Sequence, residues 1–152
     1  MNDENQMDRL AFLLGAWNLE YRIPKSAYSE PAKGTGYGTF KKALHDRYIF
    51  FDYTSRIDDE EGGAHGVFKW DEKTQCYRYW WFESSGEVMK ATCRLLDDKT
   101  LFMNWHDSLL RQTFTRKNPD KIILRMEEAN AKGTYDMILE VIFTRKSGKE
   151  DS

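Results

Sequence analysis

The groups in this chain that could ligate a metal or move protons are few and scattered. The three histidines, His45, His65 and His106, lie far apart, and no pair has the close spacing of a metal site. His45 falls in a strand connection. His65 alternates with Val67 and Lys69, away from Phe68 and Trp70, and His106 adjoins a turn. Each is therefore expected at the surface, and no His–carboxylate–nucleophile order is present. Cys76 and Cys93 form neither a metal-ligand spacing nor a disulfide framework. For acid–base chemistry the sequence offers one pairing, Glu128 with Arg111 or His106, and no motif supports it. Arg78 runs in phase with Trp80 and Phe82. Buried, it would need a carboxylate partner from the protein or a ligand. On an outer face its stem would cover the neighbouring rings. Catalysis and metal binding are thus poorly provided for, whereas five Trp, eight Tyr and nine Phe supply abundant surface for binding apolar molecules.

The 152 residues suffice for one domain with a real core, assigned here to the whole of 1–152. Formal net charge is −2 and the pI about 5.9, with charges alternating in sign along the chain. That pattern lacks the basic face that nucleic acid requires. No apolar run approaches the ~20 residues of a membrane span, and the acidic opening Met1-Asn2-Asp3-Glu4 does not read as a secretory signal. The expectation is a cytoplasmic protein with reduced thiols, with no cofactor and no metal. Oligomeric state is not legible.

Met7, Leu10, Phe12, Leu13 and Leu14 make one apolar side of a short helix over 7–14, stopped by Gly15. From Trp17 the period becomes two: Trp17, Leu19, Tyr21 and Ile23 alternate with Asn18, Glu20 and Arg22. Turn residues then recur, delimiting strands near Gly34–Lys42, Arg47–Ile57, Ala64–Trp70, Cys76–Glu83, Val88–Leu95, Thr100–Trp105, Leu109–Arg116, Lys121–Glu128 and Thr134–Arg145. Links this short permit only antiparallel neighbours. About ten strands in a meander close more readily than they stay open, because closure removes both edges. The fold class is all-β: a single up-and-down antiparallel barrel with a short N-terminal helix. The polar tail 147–152 is expected to fray.

Tight turns decide which side chains share a face. A turn at Asp107-Ser108 sets Trp105 opposite Leu110, Met103 opposite Gln112, and Leu101 opposite Phe114. A tight turn at Ala131 sets Met126 opposite Tyr135, Leu124 opposite Met137, and Ile122 opposite Leu139. The Ser84-Ser85 segment leaves two readings. A two-residue turn puts Trp80 and Phe82 on the inward face; a three-residue loop that includes Gly86 reverses the choice.

Leu13-Leu14-Gly15-Ala16-Trp17 resembles the Gly-x-Trp motif of calycins, the superfamily of lipocalins, fatty-acid-binding proteins and nitrobindin-like barrels. The resemblance implies that Trp17 plugs the closed end beneath a basic side chain from the last strand, which Phe143-Thr144-Arg145-Lys146 is placed to supply. Phe68-Lys69-Trp70-Asp71 and Tyr77-Arg78-Tyr79-Trp80-Trp81-Phe82-Glu83-Ser84 look more specifically like an uncharacterised bacterial lipocalin-like family, a domain of unknown function. The likeness runs from Leu10 to Arg145. Nitrobindin-like barrels bind haem through a late histidine; this chain has none after His106, so that activity is not carried over. Topology supports the plug independently, since closure makes the first and last strands neighbours at one rim. Gly15, Trp17 and Arg145 are its residues.

A barrel of ten strands is wide enough that side chains often fail to fill it. The expected lining is Tyr21, Tyr53, Trp80, Phe82, Met103, Trp105, Gln112, Met126, Glu128, Tyr135 and Met137, with Gln112 and Glu128 as polar anchors. The leading expectation is non-catalytic binding or carriage of a small, largely apolar molecule. The alternatives are a weak enzyme built on the same cavity, and an interaction module with a packed core and exposed Tyr79 and Trp81.

Overall fold

A computed structural model describes residues 6–26, 30–106 and 108–146. Ten antiparallel strands follow a 3-10 helix, Gln6–Leu13: β1 (Gly15–Ile23), β2 (Ala32–Ala43), β3 (Tyr48–Ile57), β4 (Glu60–Asp71), β5 (Cys76–Glu83), β6 (Val88–Leu95), β7 (Thr100–Trp105), β8 (Leu110–Asn118), β9 (Lys121–Ala129) and β10 (Tyr135–Arg145). Each strand pairs with its neighbours in sequence, and β1 pairs with β10 to close the barrel. Asp107, half of the turn expected at Asp107-Ser108, and the tail 147–152 lie outside the described residues. The register itself pairs Met103 with Gln112 and Leu101 with Phe114.

The helix buries Met7, Leu10 and Leu13, spaced by three. A 3-10 helix has three residues per turn, so this spacing forms one straight apolar edge, which caps the end where β1 starts and β10 finishes. β4 and β8 outrun their expected limits because their turns are tighter than composition implied. Asp58 and Asp59 both take positive φ, 50° and 69°, and pair Ile57 directly with Glu60. This two-residue geometry suits the twist of a hairpin, so Glu60 to Gly63 join β4 instead of forming a loop. Pro119-Asp120 likewise joins Asn118 to Lys121.

The core fills the capped half. Trp17, Phe40, Phe68, Tyr77, Leu101, Phe114, Ile122 and Phe143 are almost wholly buried there. Trp17 lies directly across from Arg145. The Arg145 guanidinium sits 4.2 Å from the indole centroid and donates to the Leu14 carbonyl at 2.7 Å, while the indole N–H donates to the Leu13 carbonyl at 2.9 Å. Gly15, at φ +124°, leaves room for this: a Cβ there would stand 2.4 Å from Arg145 Nη1.

Candidate functional site

Above the packed floor the barrel holds a cavity of about 340 Å³ that extends to the opposite rim. Its walls come from alternate positions of β1, β3, β5, β6 and β7 to β10. β2 leaves that face bare with Gly34, Gly36 and Gly38. A Cβ at Gly38 would stand 2.8 Å from the Phe51 ring, so β3 aromatics lean across a strip without side chains. Phe40, Phe51, Tyr53 and Trp81 stack in succession, with centroids 4.0, 5.5 and 5.2 Å apart, and climb from floor to mouth. Tyr79 and Trp105 meet edge to face at 5.8 Å.

Polar groups in this wall are mostly engaged with one another. Gln112, 5% exposed, accepts from the Trp105 indole N–H at 3.2 Å and donates to the Met103 sulfur at 3.4 Å. The hydroxyls of Tyr21 and Tyr53 interact. Burial pushes Tyr21 far above the ordinary phenol range. Burial, and then the nearby Glu83 carboxylate, pushes Tyr53 up to about 12. Tyr79 is raised by burial as well. These hydroxyls are therefore protonated donors at neutral pH. Glu83 accepts from the Trp81 indole N–H at 3.0 Å and from Ser85 Oγ at 3.1 Å, and it lines the cavity near the rim with Glu87.

Of the residues expected inside, Tyr21, Tyr53, Trp105, Gln112 and Met126 meet at this cavity. Met103 is fully buried beneath it, and Glu128 shares the inward face opposite Leu110 without joining the lining. Four expectations are corrected. Trp80 and Phe82 point outward because the β5–β6 loop has three residues: Glu83 pairs with Glu87, and Gly86 takes φ +99°. Tyr79 and Trp81 therefore face inward, which removes the exposed patch proposed for an interaction module. Tyr135 and Met137 also lie outside. Tyr135 pairs with Ala129 and Met137 with Glu127, and a bulge between Met137 and Leu139 then restores inward parity. Leu139, Val141 and Phe143 occupy the interior opposite Met126, Leu124 and Ile122. The sequence showed the Gly86 signal for the first change; nothing local announced the bulge.

Arg78 is outward and bonded to Asp71 at 2.7 Å, which holds that carboxyl at about 2. Arg111 is outward too, 2.9 Å from Glu127 and stacked on Tyr135, so it does not meet Glu128. His65 is paired with Asp52 on the outer face and His45 is exposed in its turn. Cys76 and Cys93 are free thiols, and Tyr77 stands opposite Cys93. Among the described residues no group of three or more His, Cys, Asp or Glu could hold a metal ion. Among the same described residues no helix is long and apolar enough to cross a membrane.

Residues 3–145 match the family described as Protein of unknown function (DUF1579). The chain belongs to that family. Its barrel is similar to the crystal structure of Rv2717c from M. tuberculosis (12% identity, 95% of this chain and 100% of that one, TM-score 0.66). It is also similar to the S-type phycobiliprotein lyase CPES from Guillardia theta (9% identity, 96% and 95%, TM-score 0.63). A redesigned β-barrel, mFAP0, bound to DFHBI, matches at 11% identity over 88% and 99%, with a TM-score of 0.51. A search of curated proteins finds no match. At these identities the neighbours of this DUF1579 member establish the barrel fold.

Proposed function

We propose that this DUF1579 protein binds or carries a small, largely apolar molecule in its upper cavity, without turning it over. The observation that carries this reading is the cavity itself: about 340 Å³ walled by stacked aromatics over a solid floor. A concave apolar volume with a few convergent polar groups is the usual form of a ligand site. Met89 and Met126 add flexible thioethers that adapt to more than one ligand shape. Binding is favoured over catalysis because the interior polar groups are committed to structure: Gln112 is held by Trp105 and Met103, and the tyrosines are protonated. Two barrels of this fold, a phycobiliprotein lyase and a design bound to DFHBI, support the reading by analogy. We further read the barrel as calycin-type on its Trp17–Arg145 plug, and its free thiols as suited to a reducing, cytoplasmic setting.

The test is a neutral hydrophobic fluorophore titrated against the wild type and Met126→Trp. The wild type should bind it with a change in Trp emission. The variant should fill the space and lose binding with little loss of stability. Destabilisation of ~1–3 kcal/mol, the signature of overpacking, together with no binding to the wild type, would rule the cavity out as a site.

A further inference from the structure

We infer that the cavity selects molecules that carry a cationic head on an apolar body, and disfavours carboxylates; this rests on the binding reading above and specifies its ligand class. Among the described residues the charged lining groups are Glu83 and Glu87, with no Lys, Arg or His beside them. The two are the backbone pair that closes the β5–β6 loop, the Glu83 N–H donating to the Glu87 carbonyl at 2.9 Å. Glu83 is fixed by its bonds from Trp81 and Ser85, so one carboxylate is held beside the Trp81 indole, itself stacked on Tyr53. An ammonium entering there would gain both opposite charge and aromatic faces. The neighbouring hairpin, tied to this one by the Ser84 N–H donating to the Gly63 carbonyl, adds Asp58, Asp59, Glu60 and Glu61 at the same rim. Arg56 there is matched by Glu61 at 2.6 Å. An anionic head would meet like charge at the lining with no cation to receive it, an arrangement that discriminates by repulsion.

The test uses three dansyl sulfonamides that differ only in the tail: pentyl, 5-aminopentyl and 5-carboxypentyl. At neutral pH and low salt the amine should bind about tenfold more tightly than the pentyl compound, a preference that shrinks in about 0.5 M salt, and the acid should bind more weakly than either. In Glu83→Gln/Glu87→Gln the amine-to-pentyl ratio should fall to near one. Glu87→Gln alone, at an exposed position, should lower it part of the way. If the pentyl compound binds but the three tails rank equally, or the acid ranks first, the charge selection is wrong and the cavity reading stands. If none binds, both fall.

Discussion

Three side chains at the capped end act as one device. Trp17 contributes burial, Arg145 covers the indole and satisfies the Leu14 carbonyl, and Gly15 supplies a backbone that other residues rarely adopt. Their removal should cost differently. Trp17→Ala should lose about 3–5 kcal/mol through transfer and cavity terms. Arg145→Ala should lose about 1–3, chiefly the unpaired carbonyl. Gly15→Ala should lose about 1–3, because positive φ and the clash with Arg145 act together. Urea unfolding that ranked Trp17→Ala mildest would contradict this account. The two thiols differ in a similarly local way. Cys93 is 2% exposed and its thiol is pushed well up by burial, whereas Cys76 is half-buried on the outer face beside Thr74. Ellman's reagent should therefore titrate one thiol in the native protein and the second only on unfolding.

At the scale of elements, loop length sets the inside of the barrel. A three-residue loop after Glu83 turns Tyr77, Tyr79 and Trp81 inward and leaves Arg78 to pair with Asp71 outside. Gly86 makes the loop possible, and a Cβ there would touch nothing within 4 Å, so its role is conformational. Gly86→Ala should then cost about 1–2 kcal/mol and leave the faces unchanged. Deleting Gly86 shortens the loop to the two-residue form and inverts β5, bringing Arg78 into the interior unpaired. That deletion should abolish cooperative unfolding by circular dichroism; a stable barrel with Trp80 inside would show that the loop does not govern the register.

For the molecule as a whole, closure has two consequences. It removes the open edges of the sheet, and it draws titratable groups away from solvent. Cys93, Tyr21, Tyr53 and Tyr79 all have folded-state pKa values above their unfolded ones. Each contributes stability that is fully present below its unfolded pKa. As pH rises past about 9 for the thiol and 10 for the phenols, the unfolded chain ionises first and the folded state loses ground. The loss attributable to Tyr53 continues to about 12. Unfolding midpoints should hold steady from neutral pH to about 8 and then decline, each group adding at most about 1.4 kcal/mol per pH unit. Tyr53→Phe should make the decline shallower; an unchanged slope would mean that this phenol is not buried as described.

Period-two alternation, turn residues and short connectors determined a closed barrel from sequence alone, because a strand's faces follow from the pleat and a short link forbids a parallel crossover. The plug was legible for the same reason: closure puts the ends of β1 and β10 side by side, and their residue types do the rest. The β7–β8 interior, with Met103 against Gln112, followed from simple counting. Which faces of β5 and upper β10 point inward was decided only in three dimensions. One extra loop residue at Gly86, or one bulge near Met137, reverses every side chain beyond it, and the sequence encodes such a step as weakly as a single glycine or with no local mark. The acidic mouth depended on the same decision. Glu83 joined Trp81 and Tyr53 in the cavity because parity turned β5 over, a choice made by how ten strands closed into one ring.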